Sequence, residues 1–190
     1  ALGLSANAGM VDVRSGRWAR LLLAEPMLPG RGKGNNLSWS NMGKKAPKND
    51  AELSKAASDA FRDFIEVASS ELQVDTAEIA SSGKVTVLGK GRTIQIYTPR
   101  VFNGIKVRDS YLTATINNGK MTVFGANNWG DIKTKVVPSV SESAALETVQ
   151  LHAGGYTVKG AWRATELQLI PVARGRNTRQ MAVGQGYDYR

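Results

Sequence analysis

The chain contains no cysteine, which excludes disulfides, thiolate zinc sites and cysteine nucleophiles within it. Histidine is almost as scarce, His152 being the single one. A centre built on several histidines is therefore ruled out, and nothing resembles the nucleophile elbow of a Ser/His hydrolase. His152 falls near the end of an expected helix, where its bland role is interaction with the helix dipole. Long apolar runs are missing too; none approaches the roughly 20 residues that span a bilayer. These absences point away from catalysis and toward binding, with no catalytic residue, cofactor or metal ligand assigned to this chain.

What remains is a globular composition. The 190 residues are 42% hydrophobic and 22% charged, enough for one large domain or two small ones. Twenty glycines favour many turns, hence strands over long helices. Lys and Arg number 25 against 16 Asp and Glu, a formal net charge of +9. The excess sits at the two ends. Residues 1–48 carry eight basic and two acidic side chains, residues 159–190 six and two, and the stretch between them eleven and twelve. Cationic ends favour an acidic partner surface, be it protein, nucleic acid or anionic membrane.

Along the chain, residues 1–48 read as an irregular arm. Val11–Val13 and Trp18–Leu23 have the character of short strands. Pro26, Pro29, Gly30, Gly32, Gly34, Asn35 and Asn36 then break any pattern. Ala6-Asn7-Ala8 has the small-x-small form of a signal-peptidase site, although a plain flexible terminus fits it equally. Residues 50–72 predict an amphipathic helix. Leu53, Ala56, Ala57, Ala60, Phe61, Phe64, Val67 and Ala68 recur at helical spacing, and Asn49 or Asp50 supplies the cap. Lys84–Leu88 and Thr93–Thr98 alternate as strands around Gly89-Lys90-Gly91. After Pro99, Ile105–Ile116 continues extended, and Asn118-Gly119 is a type I′ turn returning into Lys120–Phe124. A second helix is expected from about Ser141, with Ser139 or Ser141 as its cap and Gly154-Gly155 as its stop. Strands are then expected over Ala161–Val172 and from Tyr187 onward, with a turn at Arg174–Asn177 between them.

Helix then strands, twice over, predicts an α+β fold. It consists of two small units, each one helix on an antiparallel sheet (cystatin-like), behind an irregular N-terminal arm. The boundaries are 1–48 for the arm, 49–130 for the first unit and 136–190 for the second.

Phe102-Asn103-Gly104-Ile105-Lys106-Val107, followed by the Asn118-Gly119 hairpin and Phe124-Gly125, resembles the FTP module in the prosegments of fungalysin-like and thermolysin-like secreted zinc proteases. There a Tyr/Phe-x-Gly-Ile-x-Val stretch precedes such a hairpin. Val137-Pro138-Ser139-Val140-Ser141-Glu142-Ser143-Ala144-Ala145, Glu166–Pro171 and Tyr187–Arg190 resemble successive parts of a PepSY module, which follows FTP in those prosegments. The likeness covers about residues 50–190. The PepSY module's further strand, ending in an Asp-Ala-x-Thr-Gly-like turn, is not in the sequence, nor is the catalytic domain with its His-Glu-x-x-His helix. The sequence is thus expected to be a processed fragment, a truncated chain or one chain of a cleaved complex.

The resemblance implies a secreted propeptide that chaperones and inhibits a zinc endopeptidase, covering its substrate cleft until cut away. Zinc and calcium would belong to the catalytic partner, bound in cis or as a cleaved complex. Asn103, Gly104, Ile105, Val107, Asn118, Gly119 and Gly125 carry the likeness and are expected to be structural. The rival reading is a secreted adhesion or assembly module that reuses the same folds without a protease.

Other features have bland readings beside sharper ones. Gly30-Arg31-Gly32-Lys33-Gly34 lacks the spacing of a phosphate-cradling loop and reads as a turn. Arg174, Arg176 and Arg179 near Tyr187 and Tyr189 offer a phosphate track with stacking, but no nucleic-acid-binding pattern frames them, so nucleic acid is the less favoured partner. Of the four tryptophans, Trp18 and Trp162 read as core. Trp39 and Trp129 fall in irregular segments and are the candidate partner contacts.

Overall fold

A long helix, α1 (Asp50–Leu72), forms where the apolar period places it. Asn49 caps it by accepting the Glu52 backbone N–H at 2.9 Å. Gln73 ends it in the left-handed conformation, its N–H returning to the Ser69 and Ser70 carbonyls. Ala57, Phe61, Ile65, Ala68 and Leu72 form the buried stripe. This is a computed structural model, and the residues it describes are 6–23, 26–30, 33–159, 165–173 and 186–190.

The stripe of α1 lies on a seven-stranded sheet. Its middle is a meander of β3 (Lys84–Leu88), β4 (Thr93–Phe102), β5 (Ile105–Asn117) and β6 (Lys120–Asn127). Leu112, Ala114 and Ile116 of β5 face the helix, and Phe124 of β6 meets Phe61 and Phe64 at ring-centroid distances of 6.2 and 6.1 Å. The opposite face is polar. It carries Gln95, Thr113 and Thr115 around a Tyr97–Tyr111 pair with centroids 4.7 Å apart, as suits an antiparallel sheet solvated on one side. Two Asn-Gly turns close this meander. Asn103-Gly104 and Asn118-Gly119 all have positive φ, which permits the tight reversal.

Strand β4 runs through Pro99 instead of stopping before it. Pro99 keeps its register opposite Tyr111, and a shift follows it in which Arg100 faces the extra residues Val107–Ser110 of β5.

The expected pair of helix-on-sheet units is not what the chain builds. The N-terminal segment contributes two strands, β1 (Ala6–Asp12) and β2 (Arg17–Leu23), and is not an irregular arm over those residues. They pair with each other, and β2 joins β6 through Leu21 and Phe124, giving the order β1-β2-β6-β5-β4-β3. Leu21, Leu23 and Leu28 enter the same core as α1. That burial pulls the segment onto the sheet.

Among the described residues the C-terminal part raises no sheet under α2 (Glu142–His152), which has no buried residue. Its apolar residues are spent elsewhere. Strand β7 (Gln168–Leu169) pairs in parallel with β5, and β8 (Pro171–Ala173) pairs with β9 (Tyr187–Tyr189). Leu169, Tyr187 and Tyr189 bury against Val107 in a second, smaller core. Helix α2 is capped by Ser141, whose hydroxyl accepts the Ala144 N–H at 3.2 Å. His152 ends it, its ring Nδ1 lying 2.9 Å from the Thr148 carbonyl. Trp162, the Arg174–Asn177 turn and Arg179 lie outside the described residues. No helix among the described residues is long and apolar enough to cross a membrane.

Candidate functional site

At one end of the meander the chain forms an open groove of about 690 Å³. Three pieces of backbone make its walls: the β3–β4 turn, the β5–β6 turn and the start of α1. Residues 26–30 lie across the β5–β6 turn as a strap. Met27 and Leu28 both donate backbone N–H groups to the Gly119 carbonyl, at 2.7 and 3.1 Å. The Asn35 amide ties the strap down by donating to the Leu28 and Asn118 carbonyls at 2.9 and 2.7 Å. The Asn118 N–H in turn donates to the Arg92 carbonyl at 2.7 Å, joining the two hairpin turns.

This assembly is closely interlocked. A Cβ on Gly30 would fall 1.8 Å from the Asn118 carbonyl oxygen, and one on Gly119 would fall 2.0 Å from that of Leu28. Two glycines thus let two backbones touch where no side chain fits.

Leu53, Ile94 and Leu28 floor the groove, and half-buried Trp39 stands on its side. Lys48, Lys90 and Arg92 surround it, with Asp50 the one acid in the lining. None of these three cations forms an ion pair among the described residues. The helix start is capped. Asn49 takes the Glu52 N–H, and the Glu52 carboxylate takes the Lys48 N–H at 2.8 Å. Lys48, Lys90 and Arg92 supply the groove's side-chain positive charge. Such a site attracts carboxylates and offers apolar and aromatic surface beside them.

The opposite end of the sheet is held by a buried polar cluster. Arg100, 1% exposed, is the hub. Its Nε donates to Glu78 at 2.6 Å, one terminal nitrogen to the Tyr189 hydroxyl at 3.1 Å and the other to the Gly130 carbonyl at 2.7 Å. Its guanidinium carbon sits 4.5 Å from the Trp129 ring centroid. The Tyr189 hydroxyl also accepts the Gly130 N–H at 2.9 Å and donates to the Gly130 carbonyl at 3.0 Å, so all its capacity is used. Burial pushes the Glu78 carboxyl above its ordinary value, which the Arg100 guanidinium opposes without overcoming. The Tyr187 hydroxyl donates to Asp12 at 2.6 Å, and burial together with that carboxylate raises its pKa to about 12. Each of these groups is occupied by another part of the chain. The cluster is a clasp joining β9, β4 and the N-terminal hairpin.

The residues singled out in the sequence divide between the two ends. Trp39, Asn118 and Gly119 meet in the groove. Asn103 and Gly104 form the exposed turn at the far end of β5, and nothing lies within 4 Å of a Cβ on Gly104. Ile105 and Val107 belong to the second core. Gly125 lets β2 approach, its added Cβ falling 3.0 Å from the Ala19 carbonyl. Trp129 is 1% exposed and lies under Arg100, so a partner could touch its ring only by opening that core.

Sequence reasoning passed over Lys48, Lys90 and Arg92, which are far apart in the chain. It also missed Arg100, though alternation from Ile94 through Ile96 and Thr98 puts that residue on the inward face. Among the described residues no cluster of three or more His, Asp or Glu side chains is gathered as a metal would require. No protein-family model, curated protein or solved structure matches this chain.

Proposed function

We propose that the chain acts by binding another polypeptide, and that the groove receives an acidic segment of it. The observation that supports this reading is the cationic lining, three side chains without ion-pair partners among the described residues, beside Trp39 and an apolar floor. Carboxylates of the partner meet Lys90 and Arg92, while its apolar side chains cover Trp39. Exposed charges mainly steer the encounter and set its salt dependence; the aromatic anchor supplies most of the affinity.

The partner proposed is the catalytic domain of a secreted zinc endopeptidase, with this chain as its prosegment. That identification rests on the likeness of residues 101–125 to such prosegments. A surface that binds the native catalytic domain and not its unfolded chain stabilises the native form by RT ln(1 + [L]/Kd). A tether makes the effective concentration high. Lying across the cleft, the same surface excludes substrate.

The test adds this chain to a purified thermolysin-type catalytic domain and measures peptidase inhibition and refolding yield. The expected result is inhibition with a higher yield. Lys48→Glu/Lys90→Glu/Arg92→Glu should weaken inhibition by about tenfold or more, and raised salt should act in the same direction. If neither inhibition nor refolding responds to the chain, the protease reading falls. One observation favours the rival reading as an adhesion or assembly module: the wholly exposed α2.

A further inference from the structure

Helix α2 and its flanks present an unusual surface. Of the sixteen large apolar side chains exposed among the described residues, seven fall between Val137 and Val158. Leu146 and Val149, one helical turn apart, are 47% and 53% exposed. Scattered apolar residues need no explanation, but a concentration of them on one element marks a contact surface. The charge of this stretch is also set apart. In a chain of net charge +9, residues 139–158 carry Glu142 and Glu147 and no lysine or arginine. An acidic, apolar helix and a cationic groove with an apolar floor are thus complementary surfaces on one molecule.

Within one molecule they belong to opposite ends of the sheet. Residues 132–137, which lead into α2, lie against Phe102, Asn103 and Ile105 beside the β4–β5 turn. The groove is formed at the β5–β6 turn, the other end of β5. Between those ends the paired strand β4 runs ten residues, the extra residues of β5 being taken up in its bulge, which at strand geometry is about 30 Å.

We propose that α2 of one copy docks in the groove of a second copy, head to tail, with Leu146 and Val149 against Trp39 and the floor and Glu147 toward Lys90 and Arg92. This rests on the same reading of the groove as a receiver of acidic segments, and it names the chain itself as one such ligand. A helix of eleven residues, about 16 Å long, covers less than a standard interface, so the contact is weak and exchanging. A pair joined this way still has one free groove and one free helix, so assembly continues into chains or a ring instead of stopping at a symmetric dimer.

Sedimentation equilibrium of the whole chain, from about 10 µM to about 1 mM, tests the proposal. The wild type should gain average mass with concentration and lose it with added salt. Leu146→Asp/Val149→Asp and Lys90→Glu/Arg92→Glu change exposed residues, and circular dichroism checks that each variant is folded. Each should associate at least about tenfold more weakly than the wild type. Mixed in equal amounts, the two variants retain one working helix and one working groove between them, and a discrete heterodimer is expected.

A wild type that stays monomeric throughout overturns the proposal. So does association that survives either variant, or a mixture that stays monomeric. If self-association is absent while Lys90→Glu/Arg92→Glu still weakens peptidase inhibition, only this proposal falls and the groove reading stands. If that variant alters neither, the groove reading falls with it.

Discussion

Arg100→Met is expected to destabilise the fold by about 3–5 kcal/mol near neutral pH, the usual cost of removing one member of a buried ion pair. Arg100 holds Glu78, Tyr189 and the Gly130 carbonyl at once. Without it the Glu78 carboxylate has no cation in contact, and the Tyr189 hydroxyl and the Gly130 carbonyl each lose a donor. The penalty should depend on pH, with a sign that follows from Glu78. Its folded-state pKa already lies above the ordinary 4.5 through burial, so the folded protein holds this proton more tightly than the unfolded chain. The stability this contributes is complete below about pH 4.5 and is lost as pH rises through the folded value. Removing Arg100 takes away the main group that lowers that value and widens the window. The Arg100→Met penalty is therefore expected to shrink at about pH 4 relative to about pH 7, as read by urea unfolding. Glu78→Gln added to Arg100→Met should restore part of the loss at neutral pH. Equal penalties at both pH values would show that Glu78 does not sense the arginine.

Gly119→Ala carries the other large effect, about 3 kcal/mol or more from two sources. At φ +81° the residue occupies left-handed space that disfavours any side chain, and the new methyl would meet the Leu28 carbonyl oxygen at 2.0 Å. Gly104→Ala separates these contributions. Its φ of +78° is nearly the same, but nothing lies within 4 Å of the added carbon, so about 1–2 kcal/mol is expected there. The comparison, made by denaturant midpoint, isolates the close approach of strap and turn. A Gly119→Ala loss no larger than that of Gly104→Ala would mean that the strap yields freely.

The parts of this fold that can be read from the sequence are those whose signals are local. Helix α1 declares itself through an apolar stripe and the Asn49 cap, and the meander through alternation and its Asn-Gly turns. Pairings between distant segments leave no such mark. Nothing in Arg17–Leu23 names Phe124 as a neighbour. The short alternating run at Tyr187–Tyr189 does not reveal that its rings fill a pocket beside Val107. The error over the C-terminal half has a definite cause. Ala144, Ala145, Leu146 and Val149 have helical character, but they do not make a stripe wide enough to require a sheet beneath them. Likeness to a two-module prosegment supplied that sheet in expectation, whereas β7 joins the existing sheet and β8 and β9 pair with each other.

The candidate site was legible only in fragments. Asn118 and Gly119 are recognisable as a turn, and Trp39 as an aromatic in an irregular segment. Their meeting depends on the strap crossing that turn. Lys48, Lys90 and Arg92 look like ordinary solvated charges until α1 and two hairpins place them around one opening.

The union of β2 with β6 has a consequence for how the molecule is made. Hairpins linking successive strands close short loops and form early, whereas Leu21 finds Phe124 only after most of the chain between them has been ordered. The N-terminal hairpin is then a late addition, held at a seam that the rest of the sheet must first create. Until that seam exists, Leu21 and Leu23 have no core to enter.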